Sequence, residues 1–221
     1  MSTPAAPSWR GSFRELGWLS APWRRWLLYH LADPYFAFMY DPPPAGEWVA
    51  LDCETTGLDV RRDQIISIGA VRIVGNRLLT SQRLELIVRP ERAIGQASMR
   101  VHRLRERDVA AGMPPEQAMR QLLEFIGSRP LVGYYLEFDV AMINRAIWPL
   151  LGVGLPQTKI DISALYYDLK NRQLPAHLRN ERIDLRFASI MHELELPSRN
   201  AHDALNDAVM AGLAFLKLRR C

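Results

Sequence analysis

Two cysteines, Cys53 and Cys221, are too few for a disulfide framework, so the fold must rest on an apolar core and suits a reducing compartment. No unbroken apolar stretch approaches the roughly 20 residues that span a bilayer, which excludes a membrane-spanning helix. The most apolar N-terminal run, WLLYHLADPYFAFMY, is broken by His30, Asp33 and Pro34 and has no small-residue cleavage site after it. A cytoplasmic location is therefore expected. Internal repeats and low-complexity tracts are lacking, which excludes solenoids and flexible tethers. Clustered Cys and His at zinc-site spacing are lacking too. What remains is an ordinary globular composition, 48% apolar and 24% charged, long enough at 221 residues for one sizeable domain with a small appendage. The net charge of +4 suits a polyanionic partner without identifying one.

The composition changes at DPPPAGEW, where Pro42, Pro43 and Pro44 can continue neither a helix nor a sheet interior. This divides a tryptophan-rich N-terminal extension, residues 1–44, from a domain over residues 45–221. The extension carries Trp9, Trp18, Trp23 and Trp26. Ser12 and Glu15 form a capping-box pattern for one short helix, and Pro22 opens a second. The extension is expected to pack over the following domain; self-association or a membrane surface are the other roles that Trp beside Arg suits. Beyond the prolines, WVALDCE, QIISIGAVRIV and RLLTSQRLELIV read as strands, the last two joined by a Gly75-Asn76 turn. Pro114 and Pro115 open a helix with Ala118, Leu122, Phe125 and Ile126 on one face. RPLVGYY reads as a fourth strand, and DVAMINRAIWPLL as a helix bent or ended by Pro149. Helices are expected near residues 162–169 and 185–193, with a last one ending near residue 218. The pattern is that of a mixed α/β domain.

WVALDCETTGLD places Asp52 and Glu54 at a strand end, where both project from the same face. Two such carboxylates raise each other's pKa unless a cation lies between them. Alone, an Asp-x-Glu pair is usually a solvated strand terminus. Asp139, in LEFDVAMINRA, could equally be a helix N-cap, Asp207 a solvated helix residue and His202 a surface loop residue.

Together, however, LDCETTGLD, LEFDVAMINRA and HDALNDAVMAG resemble the three motifs of the DEDDh, or DnaQ-like, 3′–5′ exonucleases, in order and in fitting contexts. That family includes the proofreading epsilon subunit of bacterial DNA polymerase III. The resemblance covers about residues 48–218 and implies an RNase H-like fold, a central mixed sheet flanked by helices. It also implies that Asp52, Glu54 and Asp207 ligate two divalent cations, Mg²⁺ or Mn²⁺, with Asp139 helping through bound water and His202 as general base. Such chemistry needs an activated water and cations at the attacked phosphate, which two metals about 3.5–4 Å apart supply. On a regular helix His202 and Asp207 would differ by about 140°, so they can converge only if the helix starts near Asp203.

By the same resemblance Thr55, Thr56, Leu58, His102 and Phe138 would hold the terminal nucleotide, with Leu58 as a wedge on its base. The substrate implied is nucleic acid with a free 3′ end, single-stranded DNA favoured over RNA, and nucleoside 5′-monophosphates as products. An oligonucleotide-degrading exoribonuclease, or a binding module without activity, are the alternatives. In MRVHRLRERD, Arg103 stands where the family has glycine, and Arg100, Arg103 and Arg105 are expected mostly to form a solvated basic face. In the second motif Tyr134 and Tyr135 replace the family's His-Asn. Core packing is expected for them, with stacking on a base the other role open. Cys53 is expected to be a buried structural thiol. The sequence ends at LKLRRC, directly after the third motif's helix, so the tail by which a proofreading subunit grips its polymerase is not expected. Polymerase association therefore stays open without being the leading expectation.

Overall fold

A computed structural model describes residues 21–91, 109–175, 183–198 and 203–220. Within them lie α1 (Ala21–His30), a 3₁₀ segment (Pro34–Tyr40), β1 (Glu47–Thr55), β2 (Ile65–Val74), β3 (Arg77–Ile87), α2 (Pro115–Ile126) and β4 (Leu131–Gly133). These are followed by α3 (Leu136–Leu151), β5 (Lys159–Asp161), α4 (Ile162–Gln173), α5 (Phe187–Glu193) and α6 (Ala204–Leu218). The Ser12–Glu15 capping pattern, Trp9 and Trp18 fall outside the described residues.

One five-stranded sheet runs β3-β2-β1-β4-β5, with β1 antiparallel to β2 and parallel to β4. The sheet is mixed and flanked by helices, the architecture expected. Strand β1 is central and apolar on both sides. Val49, Leu51 and Cys53 join a core with Phe36, Leu122, Ile143 and Ile147, whereas Ala50 joins a second core with Ile162, Tyr166, Ile190 and Phe215. A strand buried on both faces must read this way. β3, at the edge, exposes Arg77, Arg83 and Glu85, and such charges discourage pairing with another chain.

The described part of the N-terminal extension lies on the first core. Phe36, Met39 and Tyr40 are buried there, and Arg24 ties α1 to the 3₁₀ segment through the Tyr40 carbonyl (2.8 Å) and the Asp41 carboxylate (3.0 Å). Trp23 and Trp26 instead stack on one another, half exposed. Pro149 neither starts nor ends its helix: α3 begins at Leu136 and continues to Leu151. Proline lacks only the one N–H that would meet the Arg145 carbonyl, a modest loss so close to the terminus. The stop is Gly152 at φ 67°, whose N–H meets the Trp148 carbonyl at 2.8 Å. β5 and the 3₁₀ segment were not anticipated from sequence.

Candidate metal centre

The carboxyl end of β1 is where the chemistry gathers. β4 stops at Gly133 and pairs with β1 only at Val49 and Ala50, so the β1 edge beyond them is open on that side. The first turn of α3 fills the gap: Asp139, buried, accepts the Cys53 N–H through Oδ1 at 3.1 Å. Asp139 is therefore tied to the strand between the two acids and does not cap its own helix. Ligand crevices in open α/β sheets sit at such strand ends.

α6 approaches from the opposite face. Gly69 of β2 pairs with Asp52, so the two share a face of the sheet. A β-carbon on Gly69 would lie 2.2 Å from the Ala204 carbonyl carbon and the Leu205 nitrogen. Bare backbone at Gly69 thus admits the start of α6 beside Asp52, and Gly212 lets the same helix settle on Leu78 and Ala50. Gly69→Ala is expected to displace α6, at a cost of about 1–3 kcal/mol for overpacking, and to weaken Mn²⁺ binding. Thermal unfolding and metal titration of that variant check both effects.

As the sequence geometry required, α6 begins just after Asp203, which caps it by accepting the Asn206 N–H at 3.0 Å. Asp207 lies in its first turn, near the positive end of the helix dipole. Asp52, Glu54 and Asp207 each offer one carboxylate oxygen within 4.8 Å of the other two. Asp139 stands beside this trio and not within it. Burial pushes the Asp52 carboxyl well above its ordinary range, with Asp139, Asp207, Glu54 and Asp203 adding to the effect. Burial also drives Asp139 up to about 7, against the pull of the Cys53 N–H. Converging carboxylates, with Asp52 and Asp139 both pushed to hold their protons, have the electrostatics that a cation relieves.

The oxygens could close on one small divalent ion with little movement, since ligands about 2.0–2.1 Å from a cation stand at most about 4.2 Å apart. The donor set is all carboxylate oxygen, which favours Mg²⁺ or Mn²⁺ over zinc. Cys53 is free and buried, and burial raises its thiol pKa well above the usual range, as befits a structural residue.

Of the other sequence-predicted residues, His202 and His102 lie outside the described residues, as do Arg100, Arg103 and Arg105. Leu58 is 86% exposed in the turn after β1. The Thr55 hydroxyl donates to the Gly57 carbonyl at 2.6 Å. That of Thr56 donates to Asp63 at 2.9 Å and accepts the Gln64 N–H. Both threonines therefore also hold the turn that presents Leu58. Phe138 is half-buried against the first core.

Tyr134 meets the expectation of packing: its hydroxyl donates to the Leu185 carbonyl at 2.9 Å and its ring stacks on Phe187. Tyr135 does not. It caps α3 at φ 50° and is 53% exposed. A side chain in this left-handed region costs about 1–2 kcal/mol, which glycine would avoid.

Sequence reasoning also missed Asp161. Its Oδ2 accepts the Leu136 N–H at 2.9 Å and its Oδ1 the Ser163 N–H at 2.8 Å, so one carboxylate holds the starts of both α3 and α4. The signal for Gly69 was present, a lone glycine inside a strand pattern; the signal for Asp161 was not.

A family model described as exonuclease, of RNase T type, matches residues 49–215. A PolC-type DNA polymerase III of Thermotoga maritima is 28% identical over 187 residues, which cover 84% of this chain and 13% of the polymerase. A DNA polymerase III subunit epsilon-like protein of Rhodobacter capsulatus is 29% identical over 177 residues, covering 77% of this chain and 23% of that one. This chain thus spans a small part of either relative. Among solved structures, E. coli exonuclease I in its zinc-bound complex with single-stranded DNA superposes with a TM-score of 0.64 at 15% identity, over 78% of this chain and 40% of that one. Family match and fold agree with the arrangement of acids at β1, and the chain belongs to the RNase T exonuclease family.

Proposed function

We propose that the protein hydrolyses phosphodiester bonds from the 3′ end of single-stranded DNA, releasing nucleoside 5′-monophosphates, with two Mg²⁺ or Mn²⁺ ions at the acid cluster. The observation that carries this reading is the convergence of Asp52, Glu54 and Asp207 from two distant segments onto one point. Family membership in the exonucleases supports it, as does a structural relative described in complex with single-stranded DNA.

Asp52, Glu54 and Asp207 hold the ions. When bound, these activate water and neutralise charge on the attacked phosphate. Asp139, anchored through Oδ1 by the Cys53 N–H, keeps its other oxygen for the outer sphere of the site. Asp139 and Asp207 lie in the first turns of α3 and α6, where the positive end of each helix dipole tempers the repulsion among the acids. His202, immediately before the cap of α6, takes the proton from the attacking water, a role suited to an imidazole titrating near neutrality. Leu58 packs on the terminal base, with Thr55, Thr56, Phe138 and His102 around the nucleotide. None of these roles requires a polymerase partner.

The test is incubation with 5′-labelled DNA and RNA oligonucleotides in Mg²⁺, Mn²⁺ or EDTA. A ladder that shortens from the 3′ end only with metal is the expected result. Cutting that persists in EDTA, or immediate release of the labelled 5′ nucleotide, contradicts the reading. Faster cleavage of RNA than of DNA would transfer the substrate class.

A further inference from the structure

Resting on the exonuclease reading, we propose that Tyr135 is a stacking platform for an unpaired base of the substrate strand, in addition to the residues that meet the terminal nucleotide. The residue's place in the fold is suitable. Tyr135 immediately precedes α3, at the carboxyl end of β4, and Asp139 follows one helical turn later, bonded to β1 between Asp52 and Glu54.

The backbone does not call for a tyrosine there. The backbone is held at φ 50°, where Gly or Asn is favoured, and the side chain makes no capping hydrogen bond to the helix that it precedes. With 53% of the residue exposed, burial offers little in return. An exposed aromatic residue in a strained backbone, one helical turn before Asp139, is the kind of outlier that points to function.

The ring is also pre-positioned. It rests on Tyr134, centroid to centroid 4.5 Å, and Tyr134 is itself clamped by the Leu185 carbonyl and stacked on Phe187 at 4.6 Å. A ring held this way loses little freedom when a base stacks on it. An aromatic face accepts any base, which suits an enzyme that must advance along a strand regardless of sequence.

The experiment compares the full chain with Tyr135→Ala, Tyr135→Phe and Tyr135→Trp on single-stranded DNA oligonucleotides. One series carries an abasic site at each of the last few 3′ positions in turn. Tyr135→Ala is expected to raise KM by about 5- to 150-fold with kcat changed far less, whereas Tyr135→Phe and Tyr135→Trp keep KM near that of the parent. At one position the abasic substitution should penalise the parent and no longer penalise Tyr135→Ala, a loss of coupling that a merely structural residue would not produce.

A KM for Tyr135→Ala within twofold of the parent overturns the proposal. So does equal sensitivity of both proteins to every abasic site, or a loss in Tyr135→Phe as large as in Tyr135→Ala. Should the parent cleave no nucleic acid, the exonuclease reading falls by itself. Fluorescence anisotropy with the same oligonucleotides then still decides Tyr135, since unchanged affinity in Tyr135→Ala overturns its role.

Discussion

Asp52→Asn is expected to remove exonuclease activity by at least about a hundredfold and, in EDTA, to raise the melting temperature by about 2–4 °C. The two effects share one origin. Without metal, half-buried Asp52 faces Asp139, Asp207, Glu54 and Asp203, of which Asp139 and Glu54 are buried. At a pH high enough to ionise Asp52, asparagine keeps the shape and removes one of the mutually repelling charges, and relief of about 1 kcal/mol gives the stated shift in a domain of this size. The same charge holds the cations. Losing an outer-sphere partner of a metal site already costs about 10- to 100-fold, so losing a direct ligand must cost more. Thermal unfolding in EDTA and in Mg²⁺, beside the labelled-oligonucleotide assay, gives both readouts. With Mg²⁺ the order of stability should invert, because only the parent gains from the ion. A lower melting temperature for Asp52→Asn in EDTA would mean that repulsion does not dominate the empty cluster.

The metal-free protein should also lose stability as pH rises through the weakly acidic range. Asp139 titrates at about 7 when folded and near 3.8 when unfolded. Below about 4 both states are protonated and the group takes no side. Between about 4 and 7 the unfolded chain has released its proton while the folded one keeps it, so stability falls with pH and levels off above 7. Asp52 acts in the same direction and steepens the fall. Divalent cations reverse the trend because they bind the ionised carboxylates in competition with protons. At a concentration about a hundred times the dissociation constant they add about 2.7 kcal/mol. The rise in melting temperature on adding Mg²⁺ is therefore expected to be large at pH 8 and small at pH 5. Denaturant unfolding at several pH values, with and without metal, checks the slope and its reversal; stability that climbs from pH 4 to 7 in EDTA would show that carboxylate repulsion is not the controlling interaction.

What could be read from the sequence was whatever is written locally. β1, β2 and β3 declare themselves by runs of branched apolar residues and a Gly75-Asn76 turn, and α2 by its prolines and apolar face. The start of α6 was legible for a geometric reason: a helix running unbroken from residue 202 to 207 could not turn both ends to one site, and Asp203 proves to be its cap. β5 escaped because three residues, Lys159, Ile160 and Asp161, carry no period; it is a strand only because Val132 of β4 lies beside it. Pro149 does not end its helix, one of the two effects expected of it, because the cost of a proline depends on where it falls and is small near the last turn. Gly69 and Asp161 act across the fold, one by letting Ala204 approach and the other by joining two helix starts. Neither contact exists until the sheet is assembled. Tyr135 is the clearest case of local rules overridden, since nothing in its own sequence calls for a positive φ.

The most direct measurement is a crystal soaked in Mn²⁺ and recorded at a wavelength where manganese scatters anomalously. The account predicts anomalous density within about 2.0–2.3 Å of carboxylate oxygens from Asp52, Glu54 and Asp207 together, lost in a crystal of Asp52→Asn. Manganese held elsewhere, or an active enzyme whose three acids bind none, would contradict it.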